Sequence, residues 1–150
     1  AWIAEAKFGF RHIKEKIKEL PNSSNILEVG CGSGILLSML TEAFPQNSYK
    51  GIEPFNDGFS SLKELNLLIK GSGIKIENCG YENYDSQQTY DLIYCVNVFE
   101  HVKDWKHFLH WASKKLNNGF SFIAKASALP ITMQFVIIRP TKTDSFLLVS

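Results

Sequence analysis

Ile26-Leu27-Glu28-Val29-Gly30-Cys31-Gly32-Ser33-Gly34 decides how the rest of this chain is read. Ile26, Leu27 and Val29 are apolar enough for a strand covered on both faces. Gly30, Gly32 and Gly34 follow at every second position. Glycine allows positive φ in a tight turn and lets a ligand come close to the backbone. Ile35, Leu36, Leu37, Met39 and Leu40 suit the buried side of a helix that starts where the turn ends. Strand, glycine turn and helix N-terminus, in that order, predict a nucleotide-like site at the end of a parallel sheet.

The acid in this stretch narrows the ligand. Glu28 precedes the first glycine, where a pyrophosphate would meet an anion. The dinucleotide fingerprint places its third glycine three positions after the second, and that position is Ile35. The spacing is instead Glu-x-Gly-x-Gly-x-Gly, which a cofactor carrying an ammonium and a sulfonium and no phosphate tolerates. The stretch resembles motif I of the class I S-adenosylmethionine-dependent methyltransferases, with Ser33 where many members carry Thr. A glycine turn that merely joins strand to helix is the plainer alternative. The acid, the spacing and the flanking periodicity together weigh against it.

Composition sets bounds. The chain has 150 residues, with 45% hydrophobic and 21% charged, which suits one globular domain with a substantial core. A net charge of +1 gives no large pull toward nucleic acid or membrane. Cys31, Cys79 and Cys95 are an odd number without a CxxC and read as buried thiols of a reducing, cytoplasmic compartment. No stretch is long enough for a transmembrane helix, and the N-terminus lacks a signal-peptide pattern.

Ala1 to Leu20 reads as an amphipathic helix with Ile3, Phe10, Ile13, Ile17 and Leu20 inward and Gly9 weakening its middle. A helix that covers the sheet is preferred over a basic lid or a membrane-surface helix, because Glu5, Glu15 and Glu19 dilute the basic face. Two segments result: a covering helix at 1–20 and an S-adenosylmethionine-binding unit at 21–150. The first crossover helix runs from Ile35 to Phe44, and Pro45 stops it. Ser48 to Ile52 is the second strand. Glu53 and Pro54 follow it, nineteen residues after Gly34. A carboxylate there can accept hydrogen bonds from both hydroxyls of a ribose. Asp57 to Lys70 is a helix with Phe59, Leu62, Leu65, Leu68 and Ile69 inward, ended by Gly71-Ser72-Gly73. Ile74 to Glu77 is the third strand. The family often has an acid after it that reads the adenine amino group, and here Gly80 takes that register. The backbone of Gly80 and Tyr81, stacking by the Tyr81 ring, or Glu82 are the available substitutes.

Tyr90 to Val96 is the fourth strand, with Asp91 near its start. Its continuation, Asn97-Val98-Phe99-Glu100-His101-Val102 and then Lys103-Asp104-Trp105, resembles the methyltransferase subgroup that includes ubiquinone- and menaquinone-biosynthesis enzymes and many small-molecule methyltransferases. Asp104 is placed to cap the next helix, whose inward face includes Phe108, Leu109, Ala112 and Leu116. Asn117-Asn118-Gly119 is a turn and Phe120 to Lys125 a fifth strand. Ile131 to Ile138 and Phe146 to Val149 look like two more strands. Ala126 to Pro130 is too short for a parallel crossover. The tail is then a hairpin in an unusual place, a truncation, or a segment out of frame. An unfinished sheet edge favours self-association.

The resemblance implies an α/β fold: a Rossmann-like, doubly wound, mostly parallel sheet with helices on both faces and a shortened C-terminal part. It implies methyl transfer from S-adenosylmethionine to a small-molecule acceptor. Glu28, Gly30, Gly32, Gly34, Glu53, Pro54, Gly80, Tyr81 and Asn97 become the cofactor-binding positions. Glu100 and His101 are the candidates for proton transfer, against a plainer reading in which they only shape their turn. His107 and His110, with His101, invite a metal reading. In the metal-using RNA-end methyltransferases a Glu-x-x-Glu-His pattern carries the metal, and Asn97 replaces its first Glu, so no metal is expected. Trp2, Trp105 and Trp111 read as packing residues. Two rivals remain: a truncated, non-catalytic binding or interaction domain, and a dinucleotide-dependent oxidoreductase, which Glu28 and Ile35 disfavour.

Overall fold

The computed structural model describes residues 2–54, 74–96, 102–125, 136–137 and 147–148, with side chains from 3 to 117 within those ranges. The elements are α1 (Trp2–Lys18), β1 (Asn25–Val29), α2 (Ile35–Ala43), β2 (Ser48–Ile52), β3 (Lys75–Glu77), β4 (Tyr90–Val96), α3 (Trp105–Lys115), β5 (Leu116–Lys125), β6 (Val136–Ile137) and β7 (Leu147–Leu148). Five strands form one parallel sheet in the order β3-β2-β1-β4-β5. The order reverses between β1 and β4, which is where an open α/β sheet leaves a crevice beyond its strand ends. The expected helix at Asp57–Lys70, together with Asn97, Glu100 and His101, lies outside the described residues.

β1 is central, so its side chains alternate between two buried layers. Leu27 and Val29 join Ile93, Cys95, Phe108, Leu109 and Ala112 beneath α3. Ile26 joins Leu92, Ile13, Ile17, Leu36, Leu37 and Leu40 beneath α1 and α2. Helices therefore cover both faces, as a buried parallel sheet requires. Each fully buried Leu, Ile or Phe contributes roughly 1.5–3 kcal/mol of burial free energy. Asp91 fastens the start of the central strands. Its Oδ2 accepts from the Asn25 N–H at 2.8 Å and its Oδ1 from Asn117 Nδ2 at 2.8 Å. Asp104 caps α3 as expected, accepting from the His107 N–H at 3.0 Å.

Several expectations are corrected. Ile3 is 63% exposed, and the buried stripe of α1 starts at Ala6. α1 has 17 residues and α2 only 9. Gly9 is buried rather than a mere weak point, because a Cβ there would lie 2.6 Å from Leu36 Cδ2. Cys79 is half-buried, whereas Cys31 and Cys95 are buried. Trp111 packs on Phe108 and Tyr81, but Trp105 is 40% exposed. Asn117-Asn118-Gly119 is not a separate turn. Leu116 already pairs with Tyr90, and the next pairing is Ser121 with Leu92. Five steps on β5 thus match two on β4, and the asparagine–glycine run is absorbed as a bulge within the strand. In the tail, β6 and β7 pair antiparallel in a separate two-stranded sheet.

Gly51, among the described residues of the sheet, leaves no room for a side chain. A Cβ there would lie 2.5 Å from Cys31 Sγ, 2.7 Å from Leu37 Cδ1 and 2.9 Å from Cys31 Cβ. Gly51→Ala is expected to destabilise the chain by about 1–3 kcal/mol, the usual cost of overpacking, read as a lower urea midpoint. Gly9→Ala will cost less, since the tip of Leu36 can move and alanine favours helix by about 1 kcal/mol. A neutral or stabilising Gly51→Ala contradicts this packing.

Candidate functional site

The glycine turn stands at the C-terminal end of β1, at the switch in strand order. Its three glycines all have positive φ: 70° at Gly30, 55° at Gly32 and 84° at Gly34. Side chains other than glycine's rarely adopt this conformation. The turn is tied to the end of β2, where the Ile52 carbonyl accepts from the Gly30 N–H at 2.8 Å and the Cys31 N–H at 3.2 Å. The Gly34 N–H closes on the Cys31 carbonyl at 2.9 Å, and Gly34 in left-handed conformation opens α2.

Glu53 comes next along β2 and is only 8% exposed. Its own N–H donates to the Glu77 carbonyl at 3.0 Å, fixing it between β2 and β3. Its Oε2 accepts from the Gly32 N–H at 3.3 Å. The acid after the second strand and the turn after the first are thus one assembly, with Pro54 directly following. Glu28 lies on the α1/α2 side of β1, 3% exposed, and accepts from the Tyr94 hydroxyl at 3.0 Å. Glu28 and Tyr94 are register partners on β1 and β4, so the pairing follows from sheet geometry.

Burial dominates the electrostatics. It pushes the Glu28 carboxyl from an ordinary 4.5 up to about 8; the Tyr94 hydrogen bond opposes this and the Glu53 charge adds to it. Burial also raises the Glu53 carboxyl, opposed by the Gly32 N–H. The Cys31 thiol is raised by burial and by the charges of Glu28 and Glu53, so it is not an activated nucleophile. Among the described residues, no lysine or arginine forms an ion pair with Glu28 or Glu53. Two buried carboxyls that pair with no lysine or arginine among the described residues, beside a turn of glycines, fit a ligand that offers hydroxyls and positive charge. They do not fit a phosphate.

The loop after β3 departs more from expectation. Gly80 has φ −76° and ψ 166°, an ordinary extended conformation. Its Cα lies beneath the Glu82 carboxylate, whose Oε2 is 2.8 Å from where a Cβ would stand. Tyr81 does not present its ring for stacking. The ring is buried, 4.8 Å between centroids from Phe108 and 5.4 Å from Trp111, and its hydroxyl lies 3.0 Å from His107 Nδ1. The arrival of α3 over this loop draws the tyrosine inward. Sequence reasoning missed Tyr94 as a site residue. Its signal was a polar-tipped aromatic in the otherwise apolar Ile93-Tyr94-Cys95-Val96 run.

Fold and site together define an open, doubly wound α/β domain whose glycine turn lies at the strand-order switch. Residues 6–134 match the family described as a methyltransferase domain, and the chain belongs to that family. It is 29% identical to an uncharacterized protein of Mycobacterium tuberculosis over 122 residues, 79% of this chain and 41% of that one. It is 27% identical to the ubiquinone biosynthesis O-methyltransferase of Rickettsia conorii over 114 residues, 73% of this chain and 37% of that one. The chain therefore spans about two fifths of the length of these curated relatives. Its fold resembles that of coclaurine N-methyltransferase bound to N-methylheliamine and SAH, with TM-score 0.63, 17% identity and coverage of 81% of this chain and 34% of that one. A SAM-bound amino pentose methyltransferase from Micromonospora echinaspora gives TM-score 0.63 at 19% identity, covering 87% of this chain and 52% of that one.

The buried Glu28 has a measurable consequence for stability. Its carboxyl keeps a proton in the folded chain where the unfolded chain has lost it. Stability from this group is therefore full below the ordinary 4.5 and is lost as pH rises toward about 8. Glu28→Gln removes that loss. Relative to the parent, the variant is expected to gain up to about 1.4 kcal/mol per pH unit within this window, measured by urea unfolding from pH 5 to 8. Parallel pH curves contradict the assignment.

Proposed function

We propose that this chain binds S-adenosylmethionine at the Gly30–Gly34 turn and serves methyl transfer to a small-molecule acceptor. The observation that carries the reading is Glu53: a buried carboxylate at the end of β2, hydrogen-bonded to the amide of Gly32 in the neighbouring turn. A carboxylate so placed accepts from ribose hydroxyls. Glu28 supplies the second acid, of a sign suited to a cationic ligand. Gly30, Gly32 and Gly34 keep the turn free of side chains. Glu82, folded over Gly80, is the better substitute for the missing adenine acid, with the Gly80 backbone beside it. Asn97, outside the described residues, is the further cofactor-binding position that the resemblance implies.

Bound S-adenosylmethionine would supply the methyl group and, through its sulfonium, a leaving group that needs no further activation. What remains for the protein is positioning, worth roughly 7–11 kcal/mol in favourable cases. Where the acceptor must lose a proton, Glu100 and His101 are the residues to carry it. The relatives named for ubiquinone biosynthesis and for amino pentose methylation support a small-molecule acceptor.

Calorimetric titration of the chain with S-adenosylhomocysteine tests the site. Saturable binding is expected, with Glu53→Ala weakening it at least tenfold, about 1.4 kcal/mol or more, while the variant keeps its fold by circular dichroism. Unchanged affinity in Glu53→Ala contradicts the ribose role. No binding by the folded chain contradicts the cofactor assignment.

A further inference from the structure

Resting on the cofactor site just proposed, we infer that Glu28 is a proton-exchange site coupled to the Gly30–Gly34 turn, with Tyr94 as its positioning residue. Glu28 carries a proton in the free chain and releases it to solvent when a positively charged ligand binds at the turn.

The argument starts from burial without a counterion. Glu28 is 3% exposed, and no lysine or arginine pairs with it among the described residues. The groups that act on it are Tyr94 from β4 and Glu53 beyond β2. Cys31 of the turn feels its charge and lies with it in the same layer. Tyr49 of β2 also acts on Tyr94. From α1 and α2 this layer receives Ile13, Ile17, Leu36, Leu37 and Leu40, all apolar. An ionised carboxylate there, close to a second buried acid, is costly, and the group takes up a proton instead. Burial accordingly raises its carboxyl to about 8.

The coupling follows from what a ligand cation changes. An opposite charge nearby favours the ionised form. The O–H bond of the Glu28 carboxylic acid breaks, the proton passes to solvent, and the carboxylate stays on β1. The Tyr94 hydroxyl holds one oxygen at 3.0 Å and donates to it, so the ionised form keeps a hydrogen bond when the proton leaves. Tyr94 is itself pushed well above its ordinary value by burial and by Glu28, so it remains a donor throughout. Tyr94 thus has a role distinct from packing: it lowers the cost of ionising Glu28.

The test is calorimetric titration with S-adenosylhomocysteine, whose ammonium is the cation, in buffers of differing ionisation enthalpy between pH 6 and 7.5. The expected result is release of close to one proton per ligand, an affinity that rises nearly tenfold per pH unit, and binding without release in Glu28→Gln. Tyr94→Phe should shift the titration of the free Glu28 carboxyl, followed by carbon-13 NMR, to higher pH. A structural role alone would not move it. If Glu28→Gln does not fold or bind, the carboxyl resonance displaced by Tyr94→Phe decides. Protonation in the free chain and ionisation on binding at pH 6–7.5 uphold the inference. Binding without proton release, or release that persists in Glu28→Gln, overturns it and leaves the cofactor site standing. Absence of binding overturns both.

Discussion

Two consecutive amides, those of Gly30 and Cys31, share the carbonyl of Ile52. This places the turn after β1 on the last residue of β2, and much of the site follows from it. Cys31 is pressed against Gly51, which leaves no room for a side chain. Gly32 is brought within hydrogen-bond reach of Glu53. Gly34 is left in the conformation that starts α2. Positive φ at three alternate positions is the cost of the path, and glycine alone meets it readily.

The two acids divide the work because their surroundings differ. Glu53 has a backbone donor, which partly offsets its burial. Glu28 accepts from a phenolic hydroxyl, that of Tyr94, and is the deeper of the two. Among the described residues neither acid pairs with a lysine or arginine, so a nearby positive charge would favour the ionised form of each. The catalytic demand of a sulfonium donor is mainly geometric, so the chemistry leaves few marks in residue types.

Legibility of the fold followed how local each signal is. β1 and β4 were readable because both faces are buried and their apolar runs are bounded by Gly or polar turns. Asp104 announced α3 through capping chemistry. The bulge in β5 was hidden because Asn-Asn-Gly signals a turn equally well, and only pairing with β4 distinguishes them. The inward Tyr81 depends on contact with α3, across 26 residues of chain. The Tyr94–Glu28 bond depends on strand register, which no window of sequence contains. The same holds for Gly9 and Gly51, whose need for small size comes from neighbours distant in the chain.

The most direct measurement is a crystal structure of the chain with S-adenosylhomocysteine. The account predicts ligand density along the Gly30–Gly34 turn, with the ribose hydroxyls on the Glu53 carboxylate and the ammonium on the side of Glu28. Ligand bound away from this turn, or Glu53 paired with a lysine from residues 55–73 in place of the ribose, would contradict it.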